Sequence, residues 1–175
     1  MNRRAIPFLA LAAAISSAHA AVPEPKAIAD GLRAPAGEQP EFVLKADGVQ
    51  IYACKPRTDD AKAYQWTFVG PEATLRENGT VVGRHAAGPI WESTIDKSSV
   101  KGSARSGQDG GAGNIPWLLL GGTPSPGSGK FAGVISIQRV ATKGGVEPVG
   151  GCDASKAGKD ARVPYTADYY FYKRK

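Results

Sequence analysis

Short runs of alternating apolar and polar residues recur along the chain from residue 41 to the C-terminus. This two-residue period is typical of β-strands that bury one face. Residues 64–68 place three aromatic side chains on one face, and residues 131–142 form the longest strand candidate. Residues 115–120 form a continuous apolar run, which predicts a strand buried on both faces. Because no sustained 3.6-residue period appears among them, the pattern predicts an all-β fold of about eight to ten short strands.

Glycine and proline mark the predicted connections between these strands. Asp47-Gly48 and Asn78-Gly79 each stand between two β-rich runs, and such a pair is a strong signal for a tight hairpin turn. Residues 106–113 and 121–130 are rich in glycine and predict two flexible surface loops. The sequence therefore predicts a single antiparallel β-sandwich or partly closed β-barrel with long Gly-rich loops.

The first 20 residues have the composition of a secretory signal peptide. Arg3 and Arg4 precede an Ala/Leu-rich apolar run over residues 6–15, and Ala18-His19-Ala20 provides a cleavage site of the small-x-small type. The run is near half the length of about 20 apolar residues that a transmembrane helix needs. We therefore expect an exported, periplasmic or extracellular protein that is not inserted into a membrane and whose mature chain begins at Ala21.

The segment that follows, residues 21–40, is predicted to be an extended lead-in to the β domain. Its frequent prolines remove backbone donors and bias the preceding residues away from helix. Only residues 26–32 are compatible with a helical turn. Residues 41–175 then form the predicted single β domain.

The charge pattern does not predict a nucleic-acid partner. The chain has 22 Lys+Arg against 16 Asp+Glu, a formal net charge of +6. Two of the basic residues belong to the predicted signal peptide, and residues 173–175 supply three more in a C-terminal tail. Because no basic stripe is interleaved with stacking aromatics, we interpret the excess as solvated charge.

The two cysteines, Cys54 and Cys152, agree with export. In an oxidising compartment two cysteines most simply form one disulfide, which here would tie an early strand to the loop after a late one. Closing a loop of about 100 residues stabilises a fold by up to ~4.7 kcal/mol in the chain-entropy model. The predicted mature chain has one histidine and two cysteines, which are a poor structural zinc set, so no metal site is predicted.

Residues 83–92 combine the chemistry most suited to a site. They contain His85, a Gly88-Pro89 bend, and Trp91 directly beside Glu92. We expect the bend to bring both sides of the segment together at the mouth of the domain, where an apolar wall with a few polar groups would bind a small molecule or glycan. Because histidine titrates near pH 6.5, such binding is expected to vary between roughly pH 5 and 8.

Tyr165 and Asp168 complete the candidate ligand-binding set, because convergence of these two residues with His85 and Glu92 on one cavity would define the site. Two alternatives stay open. His85 with an acidic partner could serve a hydrolase or lyase, or the segment could belong to a purely structural or interaction module in which the tryptophans are core. Neither alternative supplies a defined catalytic set.

Sequence motifs for common cofactors and catalytic groups are absent. There is no Gly-x-Ser-x-Gly elbow, and the glycines of residues 106–113 do not satisfy the dinucleotide pattern. Gly129-Lys130 is followed by Phe131, whereas a phosphate-binding loop needs Ser or Thr there. No cofactor is predicted.

Several motifs in a fixed order resemble the DUF3455 family of exported bacterial and fungal proteins. They are Gly48-Val49-Gln50-Ile51-Tyr52-Ala53-Cys54, Pro71-Glu72-Ala73, His85-x-x-Gly88-Pro89-x-Trp91-Glu92, Ile115-Pro116-Trp117-Leu118-Leu119, Ile137-Gln138-Arg139, Gly151-Cys152-Asp153 and the run of residues 163–172. The resemblance covers nearly all of the chain after the signal peptide. It implies export, and it supplies no agreed functional residues because the family's role is not established.

Overall fold

The computed structural model describes residues 22–26 and 28–175, so the predicted signal peptide of residues 1–20 lies outside the described residues. Within them, eight strands form one antiparallel sheet in which each strand pairs with the next along the chain. The first strand also pairs with the last, and the sheet therefore closes on itself as a ring. The strands are β1 (Glu38–Pro56), β2 (Tyr64–Glu77), β3 (Thr80–Ala86), β4 (Ile90–Ser93), β5 (Ser99–Gln108), β6 (Trp117–Pro124), β7 (Ser136–Gly144) and β8 (Asp160–Arg174).

The prediction of a single antiparallel all-β fold is confirmed, with the eight strands in one sheet that closes as a ring. Two short 3-10 helices, Asp30–Leu32 and Ala154–Lys156, accompany the strands. No helix in residues 22–26 and 28–175 is long and apolar enough to cross a membrane.

One of the two predicted hairpin turns is correct and the other is wrong. Asn78 and Gly79 have φ angles of 48° and 85° and connect β2 to β3, as the Asn-Gly signal predicts. Asp47 and Gly48 instead lie inside β1, where both residues pair with β2 on one side and β8 on the other. A side chain at Gly48 would clash, since a Cβ built there lies 2.2 Å from the carbonyl oxygen of Glu72. The glycine serves close strand packing rather than a turn.

The glycine-rich loops are shorter than predicted, and the strand predicted over residues 131–142 begins later. Residues 106–108 continue β5, because they pair with β6. Residues 121–124 continue β6, because they pair with β5. β7 begins at Ser136. Glycines in these segments are thus strand residues that allow a close approach, for example of Arg105 to Gly121.

One end of the ring is filled by the connection between β6 and β7. Phe131 in this connection is fully buried, with its ring centroid 5.7 Å from that of Phe42 and 5.1 Å from that of Phe171. Lys130 anchors the same connection through a 2.7 Å ion pair with Glu77 at the β2–β3 turn. The interior at this end is therefore a packed apolar core.

The outer side of the sheet is partly covered by the chain that precedes β1. Ile28 and Leu32 pack against Leu119 and Val140 on the outer face of β6 and β7. The buried Gln138 donates to the carbonyl oxygen of Leu32. This side of the sheet is consequently apolar on both faces, as the continuous apolar run of residues 115–120 indicates.

Cys54 and Cys152 form a disulfide, with their Cα atoms 5.4 Å apart. Cys54 lies near the end of β1, and Cys152 lies in the long connection between β7 and β8. The predicted bond between an early strand and the loop after a late strand is therefore present.

Candidate functional site

A cavity of about 480 Å³ occupies the end of the ring opposite Phe131. Residues of all eight strands, of the β3–β4 turn and of the chain before β6 contribute to its wall. Most of the wall is apolar, and the apolar residues that line it include Phe68, Val69, Pro71, Pro89, Ile115, Leu118 and Leu120. The polar lining residues include Gln50, Tyr52, His85, Arg139 and Tyr169. The cavity thus combines a large apolar surface with a small polar set.

The two-residue period of the strands decides which candidate residues reach this cavity. His85 on β3 pairs with Trp91 on β4, and both side chains point into the ring and are buried. Arg84 and Glu92, one position away on each strand, pair with each other on the outer face. The predicted approach of the two sides of the Gly88-Pro89 bend is present, and it joins His85 to Trp91.

The carboxylates of the candidate set lie outside the ring. Glu92 accepts a hydrogen bond of 3.0 Å from Arg84, and Asp168 accepts one of 3.0 Å from Lys45. Neither residue lines the cavity. The structure therefore does not bring Glu92 or Asp168 to His85.

Tyr165, the remaining candidate, lies inside the ring but does not line the cavity. Its hydroxyl has no hydrogen-bond partner among the described residues. Burial raises the pKa of Tyr165, and the neighbouring Tyr169 raises it further. Tyr165 is thus a neutral group behind the cavity wall.

Three aromatic rings form one corner of the cavity. The imidazole of His85 stacks on Trp91 with ring centroids 4.2 Å apart and an angle of 8° between the planes. Tyr169 meets both rings edge-on, at 5.2 Å from His85 and 5.3 Å from Trp91. Such edge-to-face contacts add to the stabilisation that burial of the rings provides. The corner is therefore a rigid part of the wall.

A backbone contact fixes the tautomer of His85. Its Nδ1 lies 2.9 Å from the carbonyl oxygen of Ile90. Because a carbonyl oxygen only accepts hydrogen bonds, Nδ1 carries the proton of the neutral ring and Nε2 holds the free lone pair. His85 consequently offers an acceptor at Nε2.

Burial lowers the pKa of His85 to about 3, and the positive charge of Arg139 lowers it too, against an opposing contribution from the Ile90 carbonyl. The imidazole is therefore uncharged throughout the range of pH 5 to 8. We expected binding to vary with pH in this range because His85 would titrate. The structure removes that cause, because the charge of His85 does not change between pH 5 and 8.

The most informative lining residue that sequence reasoning missed is Arg139. It follows Ile137 by two positions on β7, so both side chains point into the ring. Its Nε and Nη2 donate to the carbonyl oxygen of Pro116, at 3.0 Å and 2.8 Å. A charged residue in register with buried isoleucine on an alternating strand was the available signal.

Three further lining residues contain buried polar atoms without a partner. The Nε2 of Gln50, the Nε1 of Trp91 and the hydroxyl of Tyr169 make no hydrogen bond with the described residues. Tyr52, by contrast, donates to the carbonyl oxygen of Gly145 at 2.6 Å. A buried polar group left unpaired costs about 1–3 kcal/mol. The cavity wall therefore holds hydrogen-bonding capacity that the fold itself does not use.

Comparison with known protein families matches residues 35–173 to a family described as a protein of unknown function, DUF3455. No curated protein and no solved structure matches the chain. No group of three or more His, Cys, Asp or Glu side chains in the described part of the chain is placed to hold a metal ion.

Proposed function

We propose that this chain, which belongs to the DUF3455 family, is an exported binding protein that holds a small, largely apolar ligand in the open end of its closed sheet. The cavity of about 480 Å³ carries the proposal. Sites for small molecules are typically concave, mostly apolar and provided with a few placed polar groups. The apolar wall favours an apolar molecule over a glycan, whose many hydroxyls would need more polar partners.

The rim of the cavity supports entry of an apolar ligand. Phe68 and Val69 line the cavity and yet are 54% and 48% exposed. The ring of Phe68 packs against Tyr52, with centroids 5.6 Å apart. Exposed apolar side chains grouped at a concave site are typical of binding surfaces. We infer that the β2 end of the wall first contacts the ligand.

The geometry favours binding over the two alternatives. A hydrolase or lyase based on His85 would need a carboxylate beside the imidazole, and both carboxylates considered for that role lie on the outer face. A purely structural module would gain stability from apolar residues at the positions of Gln50 and Tyr169, whose polar atoms are unpaired. Unpaired polar groups beside an apolar cavity support a ligand that completes their hydrogen bonds.

Filling the cavity should abolish binding without disturbing the fold. Ala104 lines the cavity and is exposed, so the larger side chain of Ala104→Phe can occupy the cavity without displacing a buried neighbour. We expect a panel of small aromatic and aliphatic alcohols, amides and carboxylates to include compounds that change tryptophan fluorescence, because Trp91 forms part of the wall. Ala104→Phe is expected to weaken their binding at least about tenfold, a loss of about 1.4 kcal/mol.

Thr123→Phe is the matched control, because Thr123 is an exposed strand residue that does not line the cavity. It should leave the dissociation constants within about twofold, a difference of less than 0.5 kcal/mol. Equal losses in both variants, or no fluorescence change and no thermal stabilisation with any compound of the panel, would contradict the proposed site.

Export is tested by the mass of the processed protein. We expect expression with the complete leader in a bacterial host to yield periplasmic or secreted protein that begins at Ala21, because residues 1–20 have the regions of a signal peptide. Intact-mass spectrometry of that fraction measures the N-terminus. Recovery of the chain only in the cytoplasm, with residues 1–20 retained, would refute export.

A further inference from the structure

We infer that the ligand carries a carboxylate and that Arg139 binds it inside the cavity. This inference rests on the proposed function, because it names the chemical class of the molecule that the cavity takes. The recognition element is a guanidinium placed on an otherwise apolar and uncharged wall.

Arg139 is the one residue lining the cavity in the described chain that carries a formal charge near neutral pH. The lining contains no Lys, Asp or Glu, and His85 is neutral there. No carboxylate among the described residues lies within 4.0 Å of the guanidinium, whereas six other basic residues form such ion pairs. A cation in a partly buried, largely apolar cavity attracts an anion more strongly than one at the surface, because solvent screens it less.

The guanidinium also retains donors for a ligand. Of its five N–H groups, one on Nε and one on Nη2 bind the carbonyl oxygen of Pro116. The other three, two on Nη1 and one on Nη2, donate no hydrogen bond to an acceptor of the described residues. Neighbouring donors on Nη1 and Nη2 match the two oxygens of a carboxylate, which arginine commonly binds in this bidentate manner.

The groups around Arg139 favour an acceptor as ligand. Tyr169 is its register partner on β8, and burial keeps the Tyr169 hydroxyl protonated by raising its pKa, although the Arg139 charge opposes the rise. The amide of Gln50 and the hydroxyl of Tyr169 are donors without partners in the wall. The negative charge of Glu147 raises the pKa of Tyr52, but Glu147 does not line the cavity and does not pair with Arg139. Apart from the acceptor at Nε2 of His85, the unpaired polar groups of the wall are donors and one cation, which suit carboxylate oxygens.

The remainder of the wall defines the body of this ligand. Leu118, Pro89 and Ile115 provide apolar contacts, and the ring of Phe68 lies at the rim. Burying an apolar body against them removes apolar surface from water, which favours binding. The class that fits is an aromatic or branched aliphatic monocarboxylate whose charged end points toward β7 and β8.

The test compares carboxylates with amides of the same shape. Dissociation constants of benzoate, 2-naphthoate and 4-methylpentanoate, and of the three matching primary amides, are measured at pH 7 by calorimetry with the whole mature protein. We expect at least one carboxylate to bind about tenfold more tightly than its amide. The wild-type comparison needs no variant, so it decides the question even where a substitution impairs folding.

Two substitutions then locate the charge that is responsible. Arg139→Gln should weaken carboxylate binding about tenfold and leave amide binding within about threefold, which removes the preference. Arg84→Gln is the matched control, since it removes the same charge one position from His85 but on the outer face. It should retain the preference.

Each outcome is decisive. Equal affinity of carboxylates and amides for the wild type would overturn the carboxylate inference and leave the proposed binding function intact. Equal losses in Arg139→Gln and Arg84→Gln would overturn the assignment to Arg139. Failure of every carboxylate to bind, where an alcohol or amide of the panel does bind, would overturn this inference alone, and failure of every compound of the panel would overturn the proposed function with it.

Discussion

The free energy of unfolding is expected to fall by roughly 3 kcal/mol between pH 7 and pH 4 because of His85 alone. In the folded protein the pKa of this buried imidazole is about 3, whereas in the unfolded chain it returns to its usual value near 6.5. Between these two values the unfolded state binds more protons than the folded state. Lowering the pH through this window therefore favours unfolding, at about 1.4 kcal/mol per pH unit.

Urea unfolding of the wild type and of His85→Phe at pH 7 and pH 4 measures this contribution. Phenylalanine keeps an aromatic ring against Trp91 and cannot take a proton, although it loses the contact with the Ile90 carbonyl. That loss is the same at both pH values. We expect the fall in stability between pH 7 and pH 4 to be smaller in the variant by about 3 kcal/mol.

Surface carboxylates also contribute to acid sensitivity, and the comparison cancels them. Hydrogen bonds from Ser98 and the Lys130 backbone lower the pKa of Asp96, and the Arg57 hydrogen bond lowers the pKa of Asp59 to about 2. Both carboxylates are present in wild type and variant alike. The same pH dependence in the two proteins would show that His85 is not the buried neutral group described above.

The alternation that predicted the strands could also have divided the candidate site correctly. Trp91 and Glu92 are adjacent on β4, so the two-residue period requires them to point to opposite faces of the sheet. The prediction grouped them by closeness in sequence. Applying the period within the segment separates the inward His85 and Trp91 from the outward Glu92, and Tyr169 from the outward Asp168.

Other features depend on pairings that no local pattern contains. Arg139 is a cavity residue because β7 pairs with β8 and brings Tyr169 beside it. Closure of the ring depends on β1 pairing with β8, over a separation of more than 100 residues. Local turn signals are equally ambiguous: Asn78-Gly79 and Asp47-Gly48 look alike in sequence, and only the pairing of β1 on both sides distinguishes them.

Gly48→Ala is expected to destabilise the fold by about 3 kcal/mol, at the upper end of the usual range for overpacking. The new Cβ would lie 2.2 Å from the carbonyl oxygen of Glu72 and 2.6 Å from the Cβ of Ala73, both on β2. Flexible side-chain ends can move aside, but the Glu72 carbonyl belongs to the backbone of a paired strand. β1 cannot simply shift away, because Gly48 is also paired with Tyr165 of β8.

Gly31→Ala provides the matched control for this substitution. Gly31 lies in the 3-10 helix before β1, and a Cβ built there meets no atom within 4 Å. Because alanine also reduces the conformational freedom of the unfolded chain, Gly31→Ala should change stability by no more than about 0.5–1 kcal/mol, in the stabilising direction. The urea concentrations at the unfolding midpoints measure the stability change of both variants, provided that the unfolding free energy depends equally on urea concentration in each. If Gly48→Ala unfolds at the same urea concentration as Gly31→Ala, β1 and β2 do not approach each other as closely at Gly48 as the structure has them, and Asp47-Gly48 regains its interpretation as a turn.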